Sequence, residues 1–329
     1  EIYTLSLHDA LPIFGRMLTV LSKIIVIFAM ILTGFVAHRF KIIPIEVNKY
    51  LVDILILITT PCMIISSMNG NELNGGMFTH TLQTLLISAA FFIITPLLCL
   101  LLKKALRHTK PEDIGVMTVI MTAVNTGFMG FPITYAIFGS YILFLMVIEN
   151  ITLNFYLYFI SIIQMNSGLK TSPHKSIIIK AALNPCNFAA LIGLILLFSG
   201  INLPGPAAEF FDTVGSATVP LSMIVVGVQL STSNLRKVIQ NRDLVYASLV
   251  NTVLIPALTF LAVNWLPIDN EVKLTIVFAA SFPCAVATVP VASMAGKNTS
   301  LAAEGVGMTT AISMISLPVI ATLLMAYYV

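Results

Sequence analysis

Two short stretches of this chain set residues that can grip a charged guest inside otherwise apolar sequence: NTGFMGFPI at 125–133 and SFPCAVAT at 281–288. The Asn125 carboxamide can both donate and accept hydrogen bonds, as a site holding a carboxylate requires. Glycine removes the side-chain barrier to unwinding, and proline deletes a backbone donor and pushes away the carbonyl four residues earlier. Gly127, Gly130, Pro132, Pro283 and Pro290 therefore predict that both stretches interrupt the helices containing them. An interrupted helix has free N–H groups and a positive dipole end, which suit an anion. Asn125, Thr126, Gly127, Pro132, Phe282, Pro283 and Cys284 are the candidate substrate-binding residues. A third cluster, Glu149, Asn150 and Asn154, falls on one broad helical face at spacings of four and five residues. Its oxygens suit a proton or a sodium ion, and a carboxylate within an apolar span is a site by default. A packing kink would explain either interruption alone, and a neutral, hydrogen-bonded glutamate would explain the third cluster.

The elements that must carry these residues are membrane spans. Of the 329 residues, 58% are hydrophobic and 9% charged, against about a quarter charged in soluble domains. The apolar residues fall in runs of about 18 or more, enough to cross roughly 30 Å of hydrocarbon. Hydropathy predicts an all-α membrane protein of ten transmembrane helices: 18–37, 46–67, 78–102, 113–138 and 141–165, then 176–199, 207–230, 242–265, 272–295 and 302–327. The first five form one repeat (17–165), the connector NSGLKTSPHK occupies 166–175, and the second repeat covers 176–329.

Alternate loops carry 14 of the 17 basic residues, among them Arg39, Lys41, Lys103, Lys104, Arg236 and Lys237. Basic residues are retained on the cytoplasmic side, so both termini are expected on the other side of a bacterial inner membrane. The prolines at 44, 61, 96 and 132 recur at 204, 220, 256 and 290, and Asp53 and Asp212 each stand eight residues before a matched proline. Five helices per copy is odd, so the second copy must enter the membrane inverted, a common transporter construction. The two interrupted helices, the fourth and ninth, hold matching places. Asp53 and Asp212 are expected as caps or inter-helix pairs, Glu304 as interfacial, and Asn48, Asn251 and Asn264 as plain cross-links.

Other chemistries are disfavoured. Cys62, Cys99, Cys186 and Cys284 lie in apolar segments without paired spacing and read as reduced packing residues. The five histidines fall in loops or near helix ends, so no metal or other cofactor is expected. No GxxxxGK[ST] loop occurs, and neither paired catalytic aspartates nor an HExxH motif supports an intramembrane enzyme. Residues 1–16 (EIYTLSLHDALPIFGR) fit neither a span nor a signal peptide, so they are expected to be a non-native leader before Met17.

NTGFMGFPI at 125–133 resembles the helix-4 signature of the auxin efflux carrier (AEC) family, whose bacterial members include malate and malonate permeases. The segments VNKYLVDILILITTPCMIISSM, GSATVPLSMIVVGVQL and SFPCAVAT are similar to that family's helices 2, 7 and 9. The resemblance covers 17–329 in order. It implies a crossover of broken helices 4 and 9 at mid-membrane, with Asn125, Pro132 and Pro283 as crossover residues. It also implies a scaffold of helices 1, 2, 6 and 7 beside a domain that moves elevator-fashion. The expected function is secondary transport of a small organic anion, a mono- or dicarboxylate or an auxin-like acid, with a proton or sodium ion as possible co-substrate. The expected partners are membrane lipid and a second copy in a homodimer, and not nucleic acid. Phe282-Pro283-Cys284 departs from the family pattern, which often has a second polar residue there, and this leaves the substrate open. The alternatives are a sodium-coupled carrier of the bile-acid or sodium/proton exchanger type, an intramembrane enzyme, and a non-transporting sensor.

Overall fold

A computed structural model of the protein describes residues 7–69, 75–166, 185–232 and 239–328. Among the described residues the regular structure is entirely helical, without strands. Helix α1 spans Leu7–Arg39. Helix α2 is built from Ile45–Ile54, a π-turn at Leu55–Thr59 and Thr60–Met68; α3 spans Gly75–Leu102. Helix α4 comprises Ile114–Thr122 and Phe131–Phe138, separated by an interruption. Helix α5 runs from Ser140–Phe155 through a π-turn at Tyr156–Ile160 into Ser161–Met165. After α6 (Pro185–Ser199) come α7 (Gly205–Ser216 and Thr218–Thr232) and α8, which joins Arg242–Leu249 to Ile255–Asn264 by a π-turn at Val250–Leu254. Helix α9 comprises Asn270–Ala280 and Thr288–Met294, and α10 spans Thr299–Tyr328.

Seven helices among the described residues are long and apolar enough to cross a membrane. The apolar part of α1 (Ile25–Arg39) and α6 are shorter, and α9 is divided by its interruption. Helix α1 begins at Leu7, ten residues before Met17, so its backbone runs through the boundary expected for a leader. The expected connector lies outside the described residues except for Asn166, as do the first nine residues of the sixth predicted span.

Three π-turns end just before a helical segment with proline in its first two positions: Pro61, Pro132 and Pro256. The cause is local. A proline ring collides with the carbonyl one turn back, and widening that turn by a residue relieves the collision.

The helices sort into two packed groups. In the first, α1 lies along the second half of α7, and the second half of α2 is flanked by α6 and the first half of α7. In the second, α3 packs on α5, α5 on α4 and α9, and α10 on α4, α8 and α9. Contacts of α1 with α10, α2 with α5 and α7 with α4 join the groups. Helices α4 and α5 form the centre: 83% and 72% of their most apolar stretches are buried, against 28% for α3. Small residues permit the tightest crossing, as expected where helices associate by close packing. A methyl group on Gly34 would stand 2.0 Å from the Ile224 carbonyl oxygen, and one on Gly227 2.0 Å from that of Ile31.

Both glycines face backbone, which cannot yield as a side chain can. Gly227→Val is expected to separate α1 from α7 and to destabilise the fold by about 1–3 kcal/mol or more, read as a lower melting temperature of the purified protein in detergent.

Candidate functional site

The interruption of α4 begins where its first half ends at Thr122. Ala123 turns extended (φ −68°, ψ 135°), and Asn125 adopts φ −100°, ψ 56° before the π-turn Thr126–Gly130. The Asn125 carbonyl accepts from the N–H groups of Met129 (3.3 Å) and Gly130 (2.9 Å). The first N–H groups of a helical turn have no acceptor within it, so those of Thr126, Gly127 and Phe128 open away from the segment. The matching interruption of α9 covers residues 281–287. There Thr288 donates back to the Ala285 carbonyl (3.0 Å), and the chain re-enters a helix.

The two interruptions border one cavity of about 350 Å³. Val124, Asn125, Gly127 and Phe128 line it from α4, and Ala285, Val286, Ala287 and Pro290 from α9. Asn150 and Asn154 enter from α5, Thr60 from α2, Cys186 from α6 and Gln229 from α7. Both helix groups thus contribute walls. No charged side chain occurs among the described lining residues. Asn125 is 6% exposed, and its carboxamide makes no hydrogen bond among the described residues. A chain of amides runs behind it. Asn150 Nδ2 donates to Thr126 Oγ1 (3.0 Å), and Asn154 Nδ2 donates to Asn150 Oδ1 (3.0 Å) and to Asn187 Oδ1 on α6 (2.9 Å).

The candidate residues divide by place. Asn125, Gly127, Asn150 and Asn154 line the cavity. Thr126 is fully buried behind it, as is Pro132 at the start of the second half of α4. Phe282 packs its ring against Phe278 at 4.8 Å, close beside Gly130. Pro283 is buried, and Cys284 donates its N–H to Thr309 Oγ1 (3.1 Å). The α9 wall of the cavity therefore begins one residue beyond the expected trio, at Ala285. Glu149 is 2% exposed and absent from the lining, so the three-residue cluster splits: two amides face the cavity and the acid does not. Neither carboxyl oxygen has a hydrogen-bond partner, although the Thr126 hydroxyl lies beside them.

Thr60, Tyr158, Cys186 and Gln229 also line the cavity and were not singled out by sequence. An uncharged polar residue inside an apolar span, Gln229 above all, was the available signal. Of the other acids, Asp212 accepts from Ser66 Oγ (3.1 Å), the inter-helix pair expected of it, while Asp53 is exposed on α2. Asn264 accepts from Tyr328 Oη (3.0 Å), a plain cross-link. A larger groove of about 920 Å³ between α8 and α10 is lined almost wholly by apolar side chains and lacks convergent polar groups.

Apolar helices enclosing a largely apolar cavity that a few amide side chains enter, between two interrupted segments, fit a multi-pass membrane protein of the transport class. The sequence matches the family of membrane transport proteins (Mem_trans) over residues 19–321, and the chain belongs to that family, the auxin efflux carrier family of the sequence resemblance. It is similar to an uncharacterized transporter of Methanocaldococcus jannaschii, 23% identical over 305 residues that cover 90% of this chain and 96% of the relative. It is also similar to an uncharacterized transporter of Methanothermobacter thermautotrophicus, 25% identical over 308 residues that cover 92% and 97%.

A methyl group at Gly127 would stand 3.2 Å from Asn150 Nδ2. Gly127→Leu is expected to fill the cavity and slow alkylation of Cys186 by a small maleimide severalfold, as read by mass spectrometry, with helical content unchanged.

Proposed function

We propose that this protein is a secondary carrier of small organic anions, a mono- or dicarboxylate, working by elevator-type alternating access around the cavity between α4 and α9. The observation that carries the reading is the uncommitted Asn125 carboxamide, which lines that cavity beside the opening N–H groups of the π-turn. Together they offer donors to a carboxylate without a fixed positive charge. A bound anion would meet hydrogen bonds strong enough to select it and weak enough to release it. The wall shared by two helix groups fits a site exposed to either side as one group shifts against the other.

The same reading takes the protein as ten spans in two inverted repeats. The interruptions of α4 and α9, which fall at corresponding places in the two halves, support it. It places both termini on the non-cytoplasmic side of a bacterial inner membrane, in keeping with the basic loops. It also takes the protein as a homodimer, since the exposed Asp53 lies about 12 Å along α2 from Ile45 at the helical rise, where lipid would disfavour a charge. Glu149 is the proton-coupling group in this scheme: a buried carboxyl without a partner, beside Thr126, is joined through Asn150 to the cavity.

The test is a thermal-shift screen of purified protein against malate, malonate, succinate, lactate and indole acetate. One acid is expected to raise the melting temperature, and Asn125→Ala to weaken its binding about tenfold or more, the loss for a hydrogen bond to a charged group. A ligand whose affinity ignores that change would sink the placement of the site. In proteoliposomes, Glu149→Gln is expected to abolish stimulation by an imposed pH gradient while leaving exchange of the same acid intact. Stimulation by a sodium gradient instead would favour sodium as the coupling ion.

A further inference from the structure

Interrupting a helix inside a protein strands peptide groups, and each stranded group needs a partner from elsewhere. On α4 the carbonyls of Met121 and Ala123 stand at the edge of the interruption. Both accept from one side chain: Asn251 Nδ2 of α8, at 3.3 and 3.0 Å. Asn251 is 1% exposed and lies within the π-turn Val250–Leu254 of α8. Its own carboxamide oxygen is buried without a partner, so the side chain is held there through its donors alone. On α9 the stranded group is the Cys284 N–H, which donates to Thr309 Oγ1 of α10 at 3.1 Å. The Thr309 hydroxyl in turn donates to the Gly305 carbonyl at 2.8 Å, which fixes its lone pairs toward Cys284. The first half of α8 packs directly on α10, so both anchors stand on one helix pair.

We infer that Asn251 and Thr309 are positioning residues of the transport site, one for each interruption, which hold the broken segments in the form that lines the cavity. The inference rests on the reading of that cavity as the anion site, although the anchoring can be tested without any anion. Neither residue lines the cavity, so neither would touch an anion held there. Their effect on binding passes through the backbone of residues 121–128 and 284–287. Asn264, also on α8 but tied to Tyr328 far from either interruption, is the internal control for loss of an ordinary cross-link.

The decisive measurement is hydrogen–deuterium exchange of the full chain in nanodiscs. Asn251→Leu is expected to accelerate exchange about tenfold in peptides covering 121–130. Thr309→Val, which keeps the shape and removes the hydroxyl, should do the same for 282–290, and Thr309→Ser should restore protection. Asn264→Leu should change neither peptide, whatever it does to melting temperature. Exchange at both interruptions indistinguishable from the Asn264→Leu control would overturn the inference, as would Thr309→Ser behaving like Thr309→Val. If Asn251→Leu does not fold, the Thr309 pair alone decides. Affinity for the acid found by thermal shift should fall in Asn251→Leu and Thr309→Val but not in the control. Altered exchange with unaltered affinity would refute their role in the site. Altered exchange in a protein that binds none of the five acids would leave the anchoring standing and overturn the anion reading.

Discussion

Hydrocarbon offers no hydrogen bonds to a peptide group, and that single constraint governs this structure. Every N–H and C=O within the membrane needs a partner in the protein or a cavity that admits water or a ligand. A chain obeying it becomes a set of unbroken helices, and most of this one does. Where α4 and α9 depart from the rule they do so in the interior. Helix α4 is the most buried of the seven long spans among the described residues, and the segment 281–285 of α9 is buried. The departures are kept apart from lipid by the helices around them. The cavity adjoins both departures.

How the groups are satisfied differs between the two sides of each interruption. On the side facing α8 and α10, fixed protein groups supply the partners through Asn251 and Thr309. On the side facing the first helix group, Asn125 and the opening turn are left to whatever occupies the cavity. In the carrier reading, one committed and one open face would give the interrupted helix a fixed backbone with room for a guest.

Much of this was legible in the sequence because spans and interruptions are local. Charge-free runs marked the helices, and Gly127, Gly130 and Pro132 marked the break in α4 within a few residues. The inventory of the cavity was less legible. The α9 wall at Ala285–Ala287 carries no polar side chain, so residue types gave no signal there; only the backbone contributes. Glu149 and Asn150 are neighbours in sequence, but a helix turns about 100° per residue, and that rotation puts the amide in the cavity and the acid behind it. Asn251 was indistinguishable from Asn264, because its importance comes from which carbonyls it meets across 128 and 130 residues of chain. The π-turns, each one extra residue in a helix, leave hydropathy unchanged and were invisible.

The Asn154–Asn187 bond is the polar contact in the amide chain that runs from the second helix group to the first. The other bonds of that chain join α5 to α4 or to itself, so they travel together if the groups slide. This one cannot. A displacement of a few ångströms would part the two carboxamides, while Asn154 keeps its bonds to Asn150. In the carrier proposed above, a guest that drew Asn154 away from Asn187 would loosen one polar tie between the two helix groups.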